Sequence, residues 1–175
     1  MRKEIKFGGF GGQGIILMGR IAGMAAAIYD KKNSVFTPSY GPEARGGAAS
    51  SNVVIDDGEI DYPYVTRPDI LVVMSQEAYE KYAPGLRDDG SLIIDEDLVK
   101  LKNGEGNVYK IPATRIAEEM GKKIVANIVM LGFFAYVSKV VSFNALKKAV
   151  MDSVPPRFRE LNEEALKKGY EYGRK

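Results

Sequence analysis

The sequence predicts an α/β domain in which a mostly parallel sheet lies between helices and the chain ends in a helical region. Three observations predict it. Short apolar runs alternate with stretches of helical periodicity through most of the chain, the pattern of strands joined by crossover helices. A glycine-rich run, Gly8-Gly9-Phe10-Gly11-Gly12-Gln13-Gly14, sits between a short apolar stretch and a long Ala/Ile/Met segment, where an open sheet places a ligand-facing turn. Beyond Thr114 the pattern is helical to the end.

Taken in order, Ile5 and Phe7 alternate with Lys6, so a short strand leads into the glycine turn, and residues 15–29 form a helix. Arg20 is its one charged residue. A helix with so little polar face must be covered on two sides, by the sheet and by something else, which can be a partner subunit. Val35 and Phe36 mark a second strand ending at Thr37-Pro38, and a third lies around 52–56, with no helical periodicity between them. The runs DILVVM (69–74) and SLIID (91–95) are continuous in apolar residues, as strands buried on both faces are. Between them Ser75 caps a helix that runs through Tyr82 and stops before Pro84-Gly85.

A last strand covers 108–111, and Thr114 caps a helix reaching Gly121. Further helices follow over 127–140 and 143–152, with Phe143, Leu146 and Val150 on one stripe, and a final one is begun by Pro155-Pro156. On that final helix Glu163 is spaced to pair with Lys167 and Glu164 with Lys168. The apolar run 124–137 is too short to span a bilayer, which needs about 20 apolar residues, and it contains Asn127 and Gly132. It reads as a buried helix. The whole is expected to be a Rossmann-like, three-layer, single domain over 1–175, with a core over 4–140 and C-terminal helices over 142–173.

Bulk properties narrow the function. With 175 residues, 45% hydrophobic and 27% charged, the chain has the composition of an ordinary globular domain. A net charge of +2 supplies no broad field for nucleic acid or an anionic membrane. There is no Cys and no His, which removes disulfides, thiolate chemistry, Cys-held iron–sulfur clusters and the usual proton shuttle. Redox chemistry must therefore belong to a bound cofactor or to a partner. Five glycines and Arg20 interrupt what could be misread as a secretory signal, so a cytoplasmic location is expected.

Two loops carry the candidate chemistry. Gly9, Gly11 and Gly14 fit the G-x-G-x-x-G spacing, with Gly12 and Gln13 between them, and such a turn brings main chain close to a phosphate at a helix N-terminus. The acid that would hold a ribose is missing, because the second strand ends in Thr37-Pro38-Ser39; this argues against NAD. Either the turn binds a phosphate or pyrophosphate group, or its glycines only permit a tight strand-to-helix junction. In the second loop, SYGPEARGG (39–47), Pro42 fixes the backbone while Gly41, Gly46 and Gly47 free it. Tyr40, Glu43 and Arg45 are left for polar contact, with Arg45 offering a planar donor fork to carboxylate or phosphate. The alternative is a surface loop in which Glu43 and Arg45 pair with each other. Asp95, Glu96 and Asp97 stand at a strand end, where they cap a helix or, less in keeping with the absence of further ligands, bind a metal. No Ser/His/Asp set and no Walker lysine is present.

Together, GGFGGQGIILMGRIAG and TPSYGPEARGGAASSNVVI closely resemble the gamma subunit of 2-oxoacid:ferredoxin oxidoreductases, most like the 2-oxoglutarate branch, over about residues 4–137. The resemblance implies a multi-subunit enzyme that converts 2-oxoglutarate, coenzyme A and oxidised ferredoxin to succinyl-coenzyme A, CO2 and reduced ferredoxin. It implies that thiamine diphosphate, Mg2+ and iron–sulfur clusters lie on, or are shared with, other subunits, with no catalytic residue on this chain. Its own role is assembly or assistance with coenzyme A, through Gly9, Gly11, Gly12, Gln13, Gly14, Tyr40, Glu43, Arg45, Gly46 and Gly47. Pyruvate or branched-chain 2-oxoacids are the alternative substrates, and a stand-alone nucleotide-binding protein is the alternative class.

Overall fold

The computed structural model describes residues 1–39, 48–102, 104 and 106–175. Its strands are β1 (Lys3–Phe10), β2 (Asn33–Ser39), β3 (Ala48–Asp56), β4 (Ile70–Val73), β5 (Ser91–Asp95) and β6 (Asn107–Ile111). They form one sheet in the order β2-β3-β1-β4-β5-β6. The pairs β1–β4, β4–β5 and β5–β6 are parallel, while β3 runs antiparallel to both β1 and β2. Only β3 is reversed among these strands, and the cause is local. Residues 40–47 are all that separate β2 from β3, too few for the crossover that a parallel return needs.

The helices are α1 (Ile15–Met24), which continues as a π turn over Ala25–Tyr29, α2 (Gln76–Tyr82), α3 (Ala113–Glu119), α4 (Ala126–Ser138), α5 (Phe143–Ser153) and α6 (Arg159–Gly173). Three layers result, and they are unequal. One sheet face, with Ile5, Phe7, Val53, Val72 and Ile93, packs under α1 and α3 to α6. The other, with Leu71, Val73, Leu92 and Ile94, is covered by α2 through Ala78 and Tyr79. Period-two alternation fails on β4 because both of its faces are buried, as its continuous apolar run predicts.

Local signals explain most boundaries. The Ser75 hydroxyl accepts from the Ala78 N–H at 3.1 Å and starts α2, and the Ser142 hydroxyl accepts from Ala145 to start α5. Three expectations need correction. β1 does not end before the glycines but runs through Gly8 and Gly9 to Phe10, because these residues pair with Ser50, Ala49 and Ala48 of β3; the missing Cβ of Gly8 leaves room for the Tyr82 ring, which would stand 2.9 Å from it. Thr114 is not a cap: it sits inside the first turn of α3, where its N–H and hydroxyl both donate to buried Asp95. Glu163 pairs with Lys147 of α5 at 2.7 Å instead of with Lys167, since a neighbouring helix presents a nearer cation. Lys167 instead reaches Glu171, and Glu164 pairs with Lys168 as spaced.

α4 is buried along most of its length, against the sheet on one side and α6 on the other. Phe134 meets Phe7 edge to face at 5.3 Å. Gly132 and Gly169 let α4 and α6 touch main chain to main chain, for a Cβ at Gly169 would stand 1.8 Å from the Val129 carbonyl oxygen. Among the described residues no helix is long and apolar enough to cross a membrane.

Candidate functional site

The glycine turn leaves β1 at the carboxyl edge of the sheet. Gln13 N–H donates to the Phe10 carbonyl at 3.2 Å, and Gly12 takes φ 95°, as the third position of a type II turn requires. Gly14 then starts α1 in the left-handed region, at φ 75°, with no side-chain cap. Its missing Cβ also makes room for Asn127, whose Nδ2 would stand 2.3 Å from such an atom. Asn127, read above only as a polar break in an apolar run, reaches the Gly14 carbonyl at 3.4 Å from buried α4.

Gln13 holds this turn from inside. Its Oε1 accepts from the Phe10 N–H at 2.6 Å, and its Nε2 donates to the Met74 carbonyl at 2.9 Å. Both ends of the amide are thereby used, which ties the turn to the end of β4 at the point where strand order changes direction around β1. Gly9 has an internal role as well, because a Cβ there would press on Gln13 Oε1 and Ile15. Gly12 differs: nothing lies within 4 Å of its Cβ position, and Gly11 and Gly12 are exposed. The predicted set thus divides into residues that brace the turn (Gly9, Gln13, Gly14) and residues that leave main chain bare (Gly11, Gly12).

Two cavities flank the turn. One of about 440 Å³ lies toward α4 and α6 and is lined by Gln13, Leu17, Val125, Asn127 and Phe158. The other, about 490 Å³, lies over the start of α1 and is lined by Phe10, Ile16, Arg20, Phe36 and Ser39. Tyr40, Glu43, Arg45, Gly46 and Gly47 fall outside the described residues. The residues flanking that segment are placed: Ser39 pairs with Ser50, and Ala48 with Phe10. Both its ends therefore meet the sheet on the edge that carries the glycine turn.

At the end of β5 the carboxylates have internal partners. Asp95, fully buried, accepts from the Thr114 N–H at 2.9 Å, the Thr114 hydroxyl at 2.7 Å and the Asp97 N–H at 3.2 Å. It thus satisfies the start of α3, which has only Pro112 before it. Arg115 closes on Asp97 with two bonds, at 2.8 and 2.9 Å, and holds its carboxyl below the usual range. The capping reading of this cluster holds, and among the described residues no group of three or more His, Cys, Asp or Glu is arranged for a metal.

Comparison with known proteins fixes the class. The model of the pyruvate ferredoxin/flavodoxin oxidoreductase family matches residues 4–172. A 2-oxoglutarate synthase subunit KorC from Methanocaldococcus jannaschii is 55% identical, over 98% of this chain and 94% of the relative. The crystal structure of a keto/oxoacid ferredoxin oxidoreductase gamma subunit from Geobacter sulfurreducens matches with a TM-score of 0.91 and 44% identity, over 99% of this chain and 97% of that one. A chain of the 2-oxoglutarate:ferredoxin oxidoreductase from Magnetococcus marinus shares the fold at a TM-score of 0.84 and 24% identity; the match takes in 99% of this chain but 31% of that longer one. The chain belongs to the pyruvate ferredoxin/flavodoxin oxidoreductase family, as a gamma-type subunit of a multi-subunit 2-oxoacid:ferredoxin oxidoreductase like those of the 2-oxoglutarate branch.

Proposed function

We propose that this subunit serves a 2-oxoglutarate:ferredoxin oxidoreductase by completing the assembly and by contacting coenzyme A with the main chain of its glycine turn. In the overall reaction the carboxyl carbon leaves as CO2, the remaining acyl group passes to the thiol of coenzyme A, and the electron pair passes to ferredoxin. Thiamine diphosphate with Mg2+ and iron–sulfur clusters supplies the decarboxylation and electron transfer in this reading. The chain has no Cys to hold a cluster, so in this reading the clusters belong to partner subunits; thiamine diphosphate with Mg2+ is assigned to those subunits as well, and the whole complex to the cytoplasm.

Coenzyme A fits better. Supporting it is one observation above others: a turn braced from within by Gln13, yet open over Gly12, at the start of an uncapped helix. Bare main chain at Gly11 and Gly12 with the first amides of α1 suits a pyrophosphate, and Arg45 would add a planar donor pair. The structure of the Magnetococcus marinus enzyme that shares this fold has been solved with 2-oxoglutarate, coenzyme A and succinyl-coenzyme A bound.

In the assembled enzyme, Arg45→Ala is expected to raise the KM for coenzyme A about tenfold, the equivalent of roughly 1.4 kcal/mol, with 2-oxoacid decarboxylation less affected. An unchanged KM removes the coenzyme A contact. The isolated chain should not oxidise 2-oxoglutarate, and turnover by it alone would overturn the assignment of the chemistry to partners.

A further inference from the structure

The outer face of α1 and its π turn is built unlike a solvent-facing helix. Ile16, Arg20, Met24 and Ile28 follow one another at four-residue intervals. Four residues overshoot an α turn of 3.6, so such a row drifts around a regular helix. The π turn over Ala25–Tyr29, with its wider register, reverses that drift and brings Ile28 back toward the line of Arg20. Tyr29 anchors the π turn to α5 through its hydroxyl, which donates to Asp152, while Lys148 stands over its ring at 5.5 Å. The opposite side of the helix is spent on the core, where Met18, Ile21, Ala22, Ala25 and Ala26 are buried.

What remains outside is apolar. Ile28 is 51% exposed and Phe10, at the turn end of the same face, 42%; Ile16 and Met24 are partly exposed between them. The row is about 18 Å long at 1.5 Å per residue. A helix face open to water normally carries several charges, yet Arg20 is the one charge on this helix, and among the described residues it has no ion pair or hydrogen bond. Arg20 lines the cavity of about 490 Å³ together with Phe10, Ile16 and Phe36. A planar cation set in an apolar strip, without a partner among the described residues, is complementary to a single carboxylate set in an apolar strip. The cavity beside it has the size and lining to receive a large apolar side chain.

We propose that this face, running from Phe10 through Arg20 to Ile28, is the docking surface for another subunit of the oxidoreductase, which presents an apolar segment with one carboxylate that pairs with Arg20. The proposal rests on the reading of the chain as one member of an assembly; because Gly11, Gly12 and Gly14 line the same cavity, the docked subunit would border the turn proposed to contact coenzyme A. It is in keeping with the longer Magnetococcus marinus chain, in which this fold is joined to further polypeptide.

The test uses the complex co-expressed with its native partner subunits, with this chain tagged. Arg20→Glu and Ile28→Asp are expected each to reduce the fraction of this chain that co-elutes with the thiamine- and cluster-bearing subunits by about tenfold or more. Arg20→Glu should act more strongly than Arg20→Ala, and Ile28→Leu should assemble normally. Circular dichroism and the Tm of each isolated variant, within a few degrees of the parent, establish that the fold is intact. Assembly unchanged in both Arg20→Glu and Ile28→Asp overturns the docking surface while leaving the subunit reading in place. A wild-type chain that co-elutes with none of those subunits takes both down. Variants that abolish a self-dimer of the isolated chain, yet leave the complex whole, assign the face to a second copy instead and overturn the proposal. Intact assembly with only the KM for coenzyme A altered assigns Arg20 to a small anion and overturns it equally.

Discussion

Glycine is used in opposite ways in the turn after β1 and at the crossing of α4 and α6. In the turn after β1, Gly12 leaves its main chain open, with nothing within 4 Å of where a Cβ would stand. At the crossing of α4 and α6, Gly132 and Gly169 close the main chain against main chain, with prospective Cβ atoms 2.0 Å from the Leu166 carbonyl oxygen and 1.8 Å from that of Val129. The same missing side chain gives contact surface in one place and packing in the other. What decides between them is the neighbour, not the residue, so a glycine motif becomes evidence for a ligand only where the surroundings stay away.

The crossing offers the largest effect. Gly169→Ala and Gly132→Ala place a methyl group inside van der Waals contact with backbone that cannot rotate aside, and each is expected to destabilise the domain by about 3 kcal/mol or more. Chemical denaturation of the isolated chain measures this. A loss below about 0.5 kcal/mol would mean that the helices slide apart freely and that the closed half of the comparison is mistaken. Gly12→Ala sharpens the other half. It meets no atom but forces φ 95° on an L residue, at a cost of about 1–2 kcal/mol, so the chain should fold and assemble.

Much of the frame was legible from residues alone. The double burial of Ile70–Val73 and Ser91–Asp95 follows from unbroken apolar runs, and the start of α2 follows from the chemistry of Ser75. Lone reversed β3 was foreshadowed by the missing helical period before it. Long-range partners were hidden. Nothing local in the sequence says that Gly132 faces Gly169, that Lys147 draws Glu163 away from Lys167, or that Tyr82 packs over Gly8. At the site, spacing identified Gly9 to Gly14 as a unit but could not divide bracing residues from bare ones. That division depends on Met74 and Asn127, which lie far along the chain.

A substitution at Gln13 asks whether the open turn is rigid because of its brace. Gln13→Ala removes the acceptor of the Phe10 N–H and the donor to the Met74 carbonyl, for an expected loss of about 1–2 kcal/mol. Gln13→Glu keeps the acceptor and places a second oxygen against the Met74 carbonyl, so it should loosen the link to β4 while sparing the bond to Phe10. Hydrogen exchange reads the two separately: the Phe10 amide should exchange faster in Gln13→Ala than in Gln13→Glu. Equal protection of that amide in the parent and both variants would show that main chain alone sets the turn.

The smallest effect lies at the same carboxyl edge, where Asp97 tests whether the rim is open beyond the glycine turn. Its carboxyl is lowered first by the hydrogen bond from Arg115, against a smaller opposing effect of burial. A folded-state value below the unfolded one means that the bond contributes stability above the unfolded pKa and that this contribution is lost as pH falls through the folded value. Arg115→Ala should therefore move the Asp97 titration, followed by NMR, up toward an ordinary carboxylate. The change in stability at neutral pH should be slight, because both side chains are substantially exposed. An Asp97 that titrates identically without Arg115 would be a carboxylate uncommitted within the fold. The rim would then hold a second open group, and bareness at this edge could no longer be assigned to Gly11 and Gly12.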